Sequence, residues 1–283
     1  MALAAPGGEI AWTKDYTRAF ADAQERQAPL LVHFRGASCE HPSAPLNPLE
    51  SGRRPDGYQS QLGDCDLMQH DVFENTLVVG LAGRYVSVLV GPGDETLNTR
   101  YQVVVNPTTL FLDPWGNEIF RVAGYLERAK FSRILQAVPA DFKDLAPAGR
   151  ALQKRSDDPR ALMAAAAFYE ATGLRQVSER LYEQAAGPPT AGDPAARRQA
   201  AMARGLNLML MGRGPDAARV FEHALEEGPD KPGSDALLLG LVNAHLTAGK
   251  RKDADAAYAR LSRQFPDSPY TRKARENLDA AKK

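Results

Sequence analysis

The chain has 283 residues, 43% hydrophobic and 25% charged, which is enough for two modest domains with cores of their own. Lys and Arg total 35, as do Asp and Glu, so bulk charge predicts neither a nucleic-acid partner nor binding to a membrane surface. No run approaches the roughly 18 apolar residues that a membrane span needs. The first residues lack the basic and apolar regions of a secretory signal, so we expect a cytoplasmic protein.

The first half of the chain alternates strand-like and helix-like segments. A continuous apolar run at 28–36, bounded by Pro and Gly, predicts a central strand that is buried on both faces. Strands, then a hairpin, then a helix predict a layered mixed α/β sheet. In chain order the predicted elements are a strand at 9–14, a helix at 15–27, the strand at 28–36, a helix from 65, a strand at 85–91, a hairpin at 108–125 and a helix at 127–138.

After about residue 140 the pattern is helical to the end, with an internal repeat. Gly173, Gly212 and Gly249 each stand at a predicted turn between two helices, 39 and 37 positions apart. Small residues such as Gly205 would let paired helices touch, and an aromatic such as Phe221 would fill the gap between them.

These segments resemble tetratricopeptide (TPR) repeats, at about 158–190, 195–230 and 234–267, followed by a polar capping helix at 268–283. The alternative is a helical bundle of another kind. The predicted fold class is therefore an α/β domain over residues 1–140 and an all-α array over residues 141–283.

The first half resembles thioredoxin-fold proteins, most closely the bacterial families whose motif runs F-x-x-x-W-C-x-x-C-x-x-M. The resemblance covers roughly residues 9–137 and rests on "PLLVHFRGASC", "CDLMQHDVFENTLVVGLAGRYVSVLV" and, most specifically, "NPTTLFLD". It implies that Pro107 forms a cis peptide bond, faces the cysteines and presents backbone to a substrate.

The two cysteines both match positions of this motif, although they are far apart in sequence. Cys39 matches the first cysteine, and Cys65 stands three residues before Met68, as the second cysteine does in the family. Residues 40–64 are then a Pro- and Gly-rich insertion, and a long loop can bring its ends together at modest entropic cost. The resemblance thus implies a Cys39–Cys65 pair; a lone reactive Cys39 and an inert site with two buried cysteines remain alternatives.

Several polar residues surround these cysteines in the sequence. Arg35 or His41 could supply a cation for Cys39, and Asp64 could cap the helix that carries Cys65. His33 stands where thioredoxins carry a buried acidic proton relay, so it could move protons, or it could be a hydrogen-bonded strand histidine. A metal site built from Cys39, His41, Cys65 and His70 is a further alternative with weak spacing. We expect no cofactor.

The repeat half offers a candidate protein-binding surface. Methionine and leucine side chains suit promiscuous recognition of apolar segments. Alternatively this face packs against the thioredoxin-like half or against the last helix. The candidate positions on the first helices of the repeats are Met163, Met202, Leu206, Met209, Leu239 and Leu246.

The order of the two halves resembles the chaperedoxins, bacterial thioredoxin–TPR fusions that hold unfolded clients and pass them to chaperonins. This resemblance implies a protein-binding adaptor or a holdase-type chaperone. If the cysteine pair is active, the protein would also catalyse thiol–disulfide exchange at Cys39 and Cys65. One alternative is a thiol–disulfide oxidoreductase whose repeats select substrates. The other is a scaffold subunit of a multiprotein complex with an inactive thioredoxin fold. In each case the expected partners are other proteins.

Overall fold

The computed structural model describes residues 8–36, 39, 63–187, 194–228 and 232–281. Most of the predicted insertion, residues 40–62, therefore lies outside the described residues, and so does His41. The chain divides into two compact units, Met1–Ala146 and Pro147–Lys283.

The first unit contains a five-stranded mixed sheet with the strand order β1-β3-β2-β4-β5. The strand β2 lies at its centre, parallel to β3 and antiparallel to β4, while β5 pairs antiparallel with β4 at one edge. The strands are β1 (Trp12–Thr13), β2 (Leu30–Phe34), β3 (Val86–Val90), β4 (Thr108–Leu112) and β5 (Glu118–Ala123).

The central strands are buried along their whole length, as a continuous apolar run predicts. All five residues of β2 and all five of β4 are buried. Ala19 and Ala23 of the first helix and Leu97 of the fourth helix pack into a core with these strands. The helices of this unit are α1 (Tyr16–Arg26), α2 (Asp64–Leu67), α3 (Thr76–Ala82), α4 (Glu95–Arg100) and α5 (Arg128–Ala137).

A π-helical turn, Met68–Phe73, follows α2 directly. Gly63 is the N-cap of α2, and Asp64 is its first helical residue without a side-chain capping bond, so the prediction of Asp64 as N-cap is wrong. Gly63 has the extended backbone of a cap residue, with φ −70° and ψ 164°, so the helix begins one residue later at Asp64. The Asp64 carboxylate lies beside Gly124, with Oδ2 2.7 Å from where a Cβ on that residue would stand. Met68 and Val72 of the π-turn are fully buried, so this segment is anchored in the core.

The second unit is entirely helical in its described residues. Each helix from α7 onward packs against its neighbour in sequence, as the repeat pattern predicts. The helices are α6 (Ala146–Lys154), α7 (Pro159–Ala171), α8 (Arg175–Ala186), α9 (Pro194–Leu210), α10 (Gly214–Glu226), α11 (Ser234–Thr247), α12 (Arg251–Gln264) and α13 (Pro269–Ala280).

The three repeat-spaced glycines close three equivalent turns. Gly173, Gly212 and Gly249 have φ of +83°, +73° and +70°, the left-handed conformation that glycine adopts without steric cost. In each turn the residue after the glycine donates its backbone N–H to a carbonyl five residues back, as in a Schellman motif. The 37- and 39-residue spacings thus correspond to one repeated local structure.

Candidate functional site

Cys39 lies five positions beyond Phe34, the last residue of β2. Its backbone N–H donates to the carbonyl of Gly36 at 2.9 Å, and the N–H of Gly36 lies 3.2 Å from Cys39 Sγ. The side chain of Arg35 donates to the carbonyl oxygen of Cys39. Cys39 is almost fully buried, with 1% of its surface exposed.

Cys65 is the second residue of α2 and forms a disulfide with Cys39. The Cα atoms lie 5.3 Å apart, inside the range that disulfides require. Cys65 is half-buried and therefore more exposed than its partner. Of the interpretations left open by the sequence, this geometry favours the pair.

The segment before β4 lies against the Cys39 loop. The Asn106–Pro107 peptide bond is cis. A Cβ on Gly36 would come within 2.8 Å of the Asn106 side chain, so the backbone of Gly36 packs closely against that residue. The carbonyl of Pro107 accepts a hydrogen bond from the N–H of Gly124 at 2.7 Å. These contacts bring the predicted proline and the predicted cysteine to one end of the sheet.

A cavity of about 320 Å³ opens beside the disulfide. Its wall combines the two cysteines with residues of β2, the loop after it and the α2–π segment. The lining residues are His33, Arg35, Cys39, Cys65, Asp66, Gln69, His70, Phe73 and Glu74. A smaller cavity of about 170 Å³ shares His33, Arg35, Gln69 and Phe73 and extends towards Trp12 and Leu89.

His33 is buried in β2, with Nδ1 2.9 Å from the hydroxyl of Thr109. Its ring meets Phe73 edge-on at 4.7 Å and lies 5.9 Å from the ring of Trp12. Burial, together with the positive charge of Arg35, lowers the pKa of His33 to about 3. His33 is therefore neutral near pH 7, and so weak a base accepts a thiol proton poorly, which favours a structural role over a proton relay.

Sequence reasoning missed the pairing of His70 with Glu74. His70 Nδ1 lies 3.1 Å from both carboxylate oxygens of Glu74, and the two residues border the cavity. The signal that could have found them is the spacing of four residues, which puts a histidine and a carboxylate on one helical face.

The six candidate binding residues lie on α7, α9 and α11. Met202, Met209, Leu239 and Leu246 are partly buried and pack against the core of the α9–α13 helices, so part of each side chain is used internally. Met163 is half-buried on α7. Leu206 is 44% exposed, and Leu210, one turn further along α9, is 60% exposed. Met202, Leu206 and Leu210 thus form an apolar stripe at four-residue spacing.

The described part of the chain contains no group of three or more His, Cys, Asp or Glu residues arranged to hold a metal ion. Both cysteines of the alternative metal site are joined in the disulfide.

None of the described helices is long and apolar enough to cross a membrane.

Comparison with known proteins agrees with the two units. A family model for a thioredoxin-like domain matches residues 56–139, and a model for a tetratricopeptide repeat matches residues 208–278. No curated protein matches the chain. The predicted fold class is confirmed: a thioredoxin-like α/β domain precedes an all-α array of TPR repeats.

Proposed function

We propose that this protein, with its thioredoxin-like domain and TPR repeats, is a holdase-type adaptor that binds client proteins and exchanges disulfides with them at Cys39 and Cys65. The observation that carries the proposal is the disulfide itself, which lies beside an open cavity of about 320 Å³ rather than in a sealed core. A purely structural disulfide has no need of such access. TPR repeats generally mediate protein–protein contacts, which supports a client-binding role for the second unit.

The apolar stripe on α9 supports recognition of exposed apolar segments. Leu206 and Leu210 expose large hydrophobic side chains, and the neighbouring Met202 adds a flexible thioether. Unfolded clients offer the matching chemistry, because they expose side chains that a native fold would bury. In a reducing compartment such as the cytoplasm, the Cys39–Cys65 pair would rest as two thiols and become oxidised by a client disulfide.

Thiol exchange is tested by reduction of insulin disulfides with dithiothreitol as the final reductant. We expect wild-type protein to accelerate the reaction and Cys39→Ser and Cys65→Ser to lose that acceleration. The equilibrium of the Cys39–Cys65 pair in glutathione redox buffers, read by mass spectrometry, gives its potential. A pair that stays reduced in every buffer, or cysteine variants as active as wild type, would refute the exchange.

Client holding is tested by light scattering of a thermally unfolding client protein. We expect wild-type protein to suppress aggregation and Leu206→Asp/Leu210→Asp to suppress it less, because two charges interrupt the apolar stripe. Leu77→Asp is the matched control, since Leu77 is a 56% exposed leucine of the thioredoxin-like unit. Aggregation that proceeds equally with and without the protein would count against the holdase function.

A further inference from the structure

The two cysteines differ in their access to a client. Cys39 is 1% exposed, whereas Cys65 is half-buried on the first turn of α2. Thiol–disulfide exchange requires a sulfur to reach the attacked sulfur, so access decides which cysteine reacts with a client. The hydrogen bond from the N–H of Gly36 to Cys39 Sγ suits the second cysteine of the exchange, which attacks the mixed disulfide. Such a donor stabilises the negative charge of a thiolate.

The accessible cysteine precedes the π-turn Met68–Phe73, which carries His70. The wide turn is visible in the backbone, where the N–H of Glu74 donates to the carbonyl of Gln69, five residues back, at 3.1 Å. The turn that this hydrogen bond closes contains His70, and π-turns recur at functional sites. Cys65 and His70 both border the same cavity.

Glu74 fixes the proton arrangement of His70. Burial favours a higher pKa for Glu74, but hydrogen bonds from His70 and Gln69 outweigh it and hold the pKa below its ordinary value, so the carboxylate is ionised at neutral pH. An ionised carboxylate only accepts hydrogen bonds, so His70 Nδ1 carries a proton. In a neutral imidazole whose proton is on Nδ1, Nε2 carries a free lone pair.

His70 Nε2 is buried and has no hydrogen-bond partner among the described residues. Buried polar atoms are normally paired, so an orphaned one beside a reactive group calls for a reason. The charged neighbours of the two cavity histidines are opposite in sign: His70 contacts the carboxylate of Glu74, whereas the cation of Arg35 contributes to the lowered pKa of His33. Asp66 is the other ionisable group of the cavity wall.

We infer that Cys65 is the client-facing sulfur and that His70, oriented by Glu74, carries the proton of its thiol. This inference rests on the proposed exchange function. It differs from the expectation for the resembling families, because the second motif cysteine takes the role of first nucleophile and a histidine outside the motif supplies the base.

In the reduced protein, His70 Nε2 takes the proton from the Cys65 thiol, and the thiolate attacks one sulfur of a client disulfide. The client S–S bond breaks, a Cys65–client mixed disulfide forms, and the departing client thiolate takes the proton from His70. The Cys39 sulfur then attacks Cys65 Sγ, reforms the Cys39–Cys65 bond and releases the second client sulfur, which takes the Cys39 proton. The client gains two electrons and two protons, and the protein loses both. A small dithiol returns the protein to its reduced state.

The first test is the pH profile of single-turnover reaction of the reduced protein with an aromatic disulfide, 5,5′-dithiobis(2-nitrobenzoate). Because an ordinary thiol of pKa about 8.5 is only about 3% thiolate at pH 7, a base can raise the rate at most about 30-fold. We expect His70→Gln to react about tenfold more slowly than wild type at pH 7 and to match it above pH 9, where the thiol ionises unaided. Glu74→Gln should give an intermediate loss.

His223→Gln is the matched control, because it makes the same substitution at a side chain that is 77% exposed on the helical unit. Its profile should equal that of wild type. If His70→Gln and Glu74→Gln both keep the wild-type profile while wild type reacts, this inference fails and the exchange function stands. If wild type does not react at any pH, both fail.

The second test separates the cysteines by trapping. Cys39→Ser leaves Cys65 free and should form a mixed disulfide with glutathione disulfide at least about tenfold faster than Cys65→Ser, measured by mass spectrometry, since reaction follows access and thiolate fraction. Equal rates, or a faster reaction of Cys65→Ser, would overturn the assignment of Cys65.

Discussion

The Cα atoms of Cys39 and Cys65 lie 5.3 Å apart although 26 positions separate the residues in sequence. In the resembling motif only two residues stand between the cysteines, whereas here the 25 residues 40–64 separate them. A disulfide is compatible with this long separation in sequence because the entropic cost of closing a loop rises only slowly with its length. Arg35 and Gly36, the two residues directly after β2, hold one end through their hydrogen bonds to Cys39, and the buried α2–π segment holds the other.

Reduction of this disulfide should destabilise the thioredoxin-like unit by roughly 3 kcal/mol, because the bond restricts the unfolded chain. Both tryptophans of the protein, Trp12 and Trp115, belong to this unit, so urea unfolding followed by tryptophan fluorescence reports on it selectively. We expect a lower midpoint in dithiothreitol. Cys39→Ser/Cys65→Ser should unfold at the reduced midpoint with and without reductant, and identical midpoints for oxidised and reduced wild type would contradict the prediction.

Burial of neutral His33 should make the same unit less stable as pH falls. The folded pKa of about 3 lies below the ordinary histidine pKa of 6.5, so between these pH values the unfolded chain binds a proton that the folded protein does not bind. The contribution of His33 is complete above pH 6.5 and declines below it, by about 1.4 kcal/mol per pH unit towards pH 3. Urea midpoints of wild type at pH 7 and pH 5, read by tryptophan fluorescence, measure the change.

His33→Phe removes the titrating group and should flatten this pH dependence. Thr109→Val is the control, since it removes the 2.9 Å hydrogen-bond partner but keeps His33 buried, the main cause of its low pKa. Thr109→Val should lose stability at both pH values and retain the slope. A wild-type slope that persists in His33→Phe would contradict the assignment to this residue.

Much of the first unit could be predicted because its signals are long and periodic. The apolar run at β2 and the two apolar runs of the β4–β5 hairpin each predict a strand and its burial directly from the residue pattern. The helix α4 (Glu95–Arg100) was not predicted, because six residues are too few to show a helical period. Asp94 caps this helix by accepting a hydrogen bond from the N–H of Leu97 at 3.1 Å.

Only those site residues that occupy positions of the family motif could be predicted from the sequence. Both cysteines and Pro107 follow from family positions. The four-residue spacing of His70 and Glu74 is common on helices, and the π-turn that carries His70 is set by backbone hydrogen bonds, which leave no mark in an apolar pattern. The burial of His33 likewise depends on the rings of Trp12 and Phe73, which come from other elements.

Phe221 on α10 lies between the backbones of two other helices. A Cβ on Gly205 of α9 would come within 2.3 Å of its ring, and one on Gly240 of α11 within 2.8 Å. Gly205→Ala should therefore destabilise the helical unit by about 1–3 kcal/mol through overpacking, despite the better helix propensity of alanine. Thermal unfolding followed by far-UV circular dichroism measures the loss.

Two further variants separate overpacking from a general effect of substitution on α9. Leu206→Ala, one residue away at a 44% exposed position, should change stability little. Adding Phe221→Leu to Gly205→Ala should cost less than the sum of the two single changes, because the smaller side chain relieves the clash. Strict additivity would argue against the predicted contact.

Arg198 on α9 joins the end of α10 to the start of α11 and should be the most sensitive cation of the helical unit. Its guanidinium is buried and donates to the carbonyls of Ala224 and Gly228, at 3.2 and 2.9 Å, and to the hydroxyl of Ser234 at 2.6 Å. Arg198→Met keeps the apolar stem but takes the charged donor away from these buried acceptors, so we expect a loss of about 2–3 kcal/mol.

Arg198→Lys should recover part of that loss, because a compact ammonium reaches fewer of the three acceptors than a planar guanidinium does. Arg219→Met is the matched control: Arg219 is 73% exposed and pairs with Asp216 at the surface, where ion pairs contribute at most about 1 kcal/mol. Thermal unfolding by far-UV circular dichroism ranks the variants. An Arg198→Met protein as stable as Arg219→Met would show that the helix junction does not depend on these hydrogen bonds.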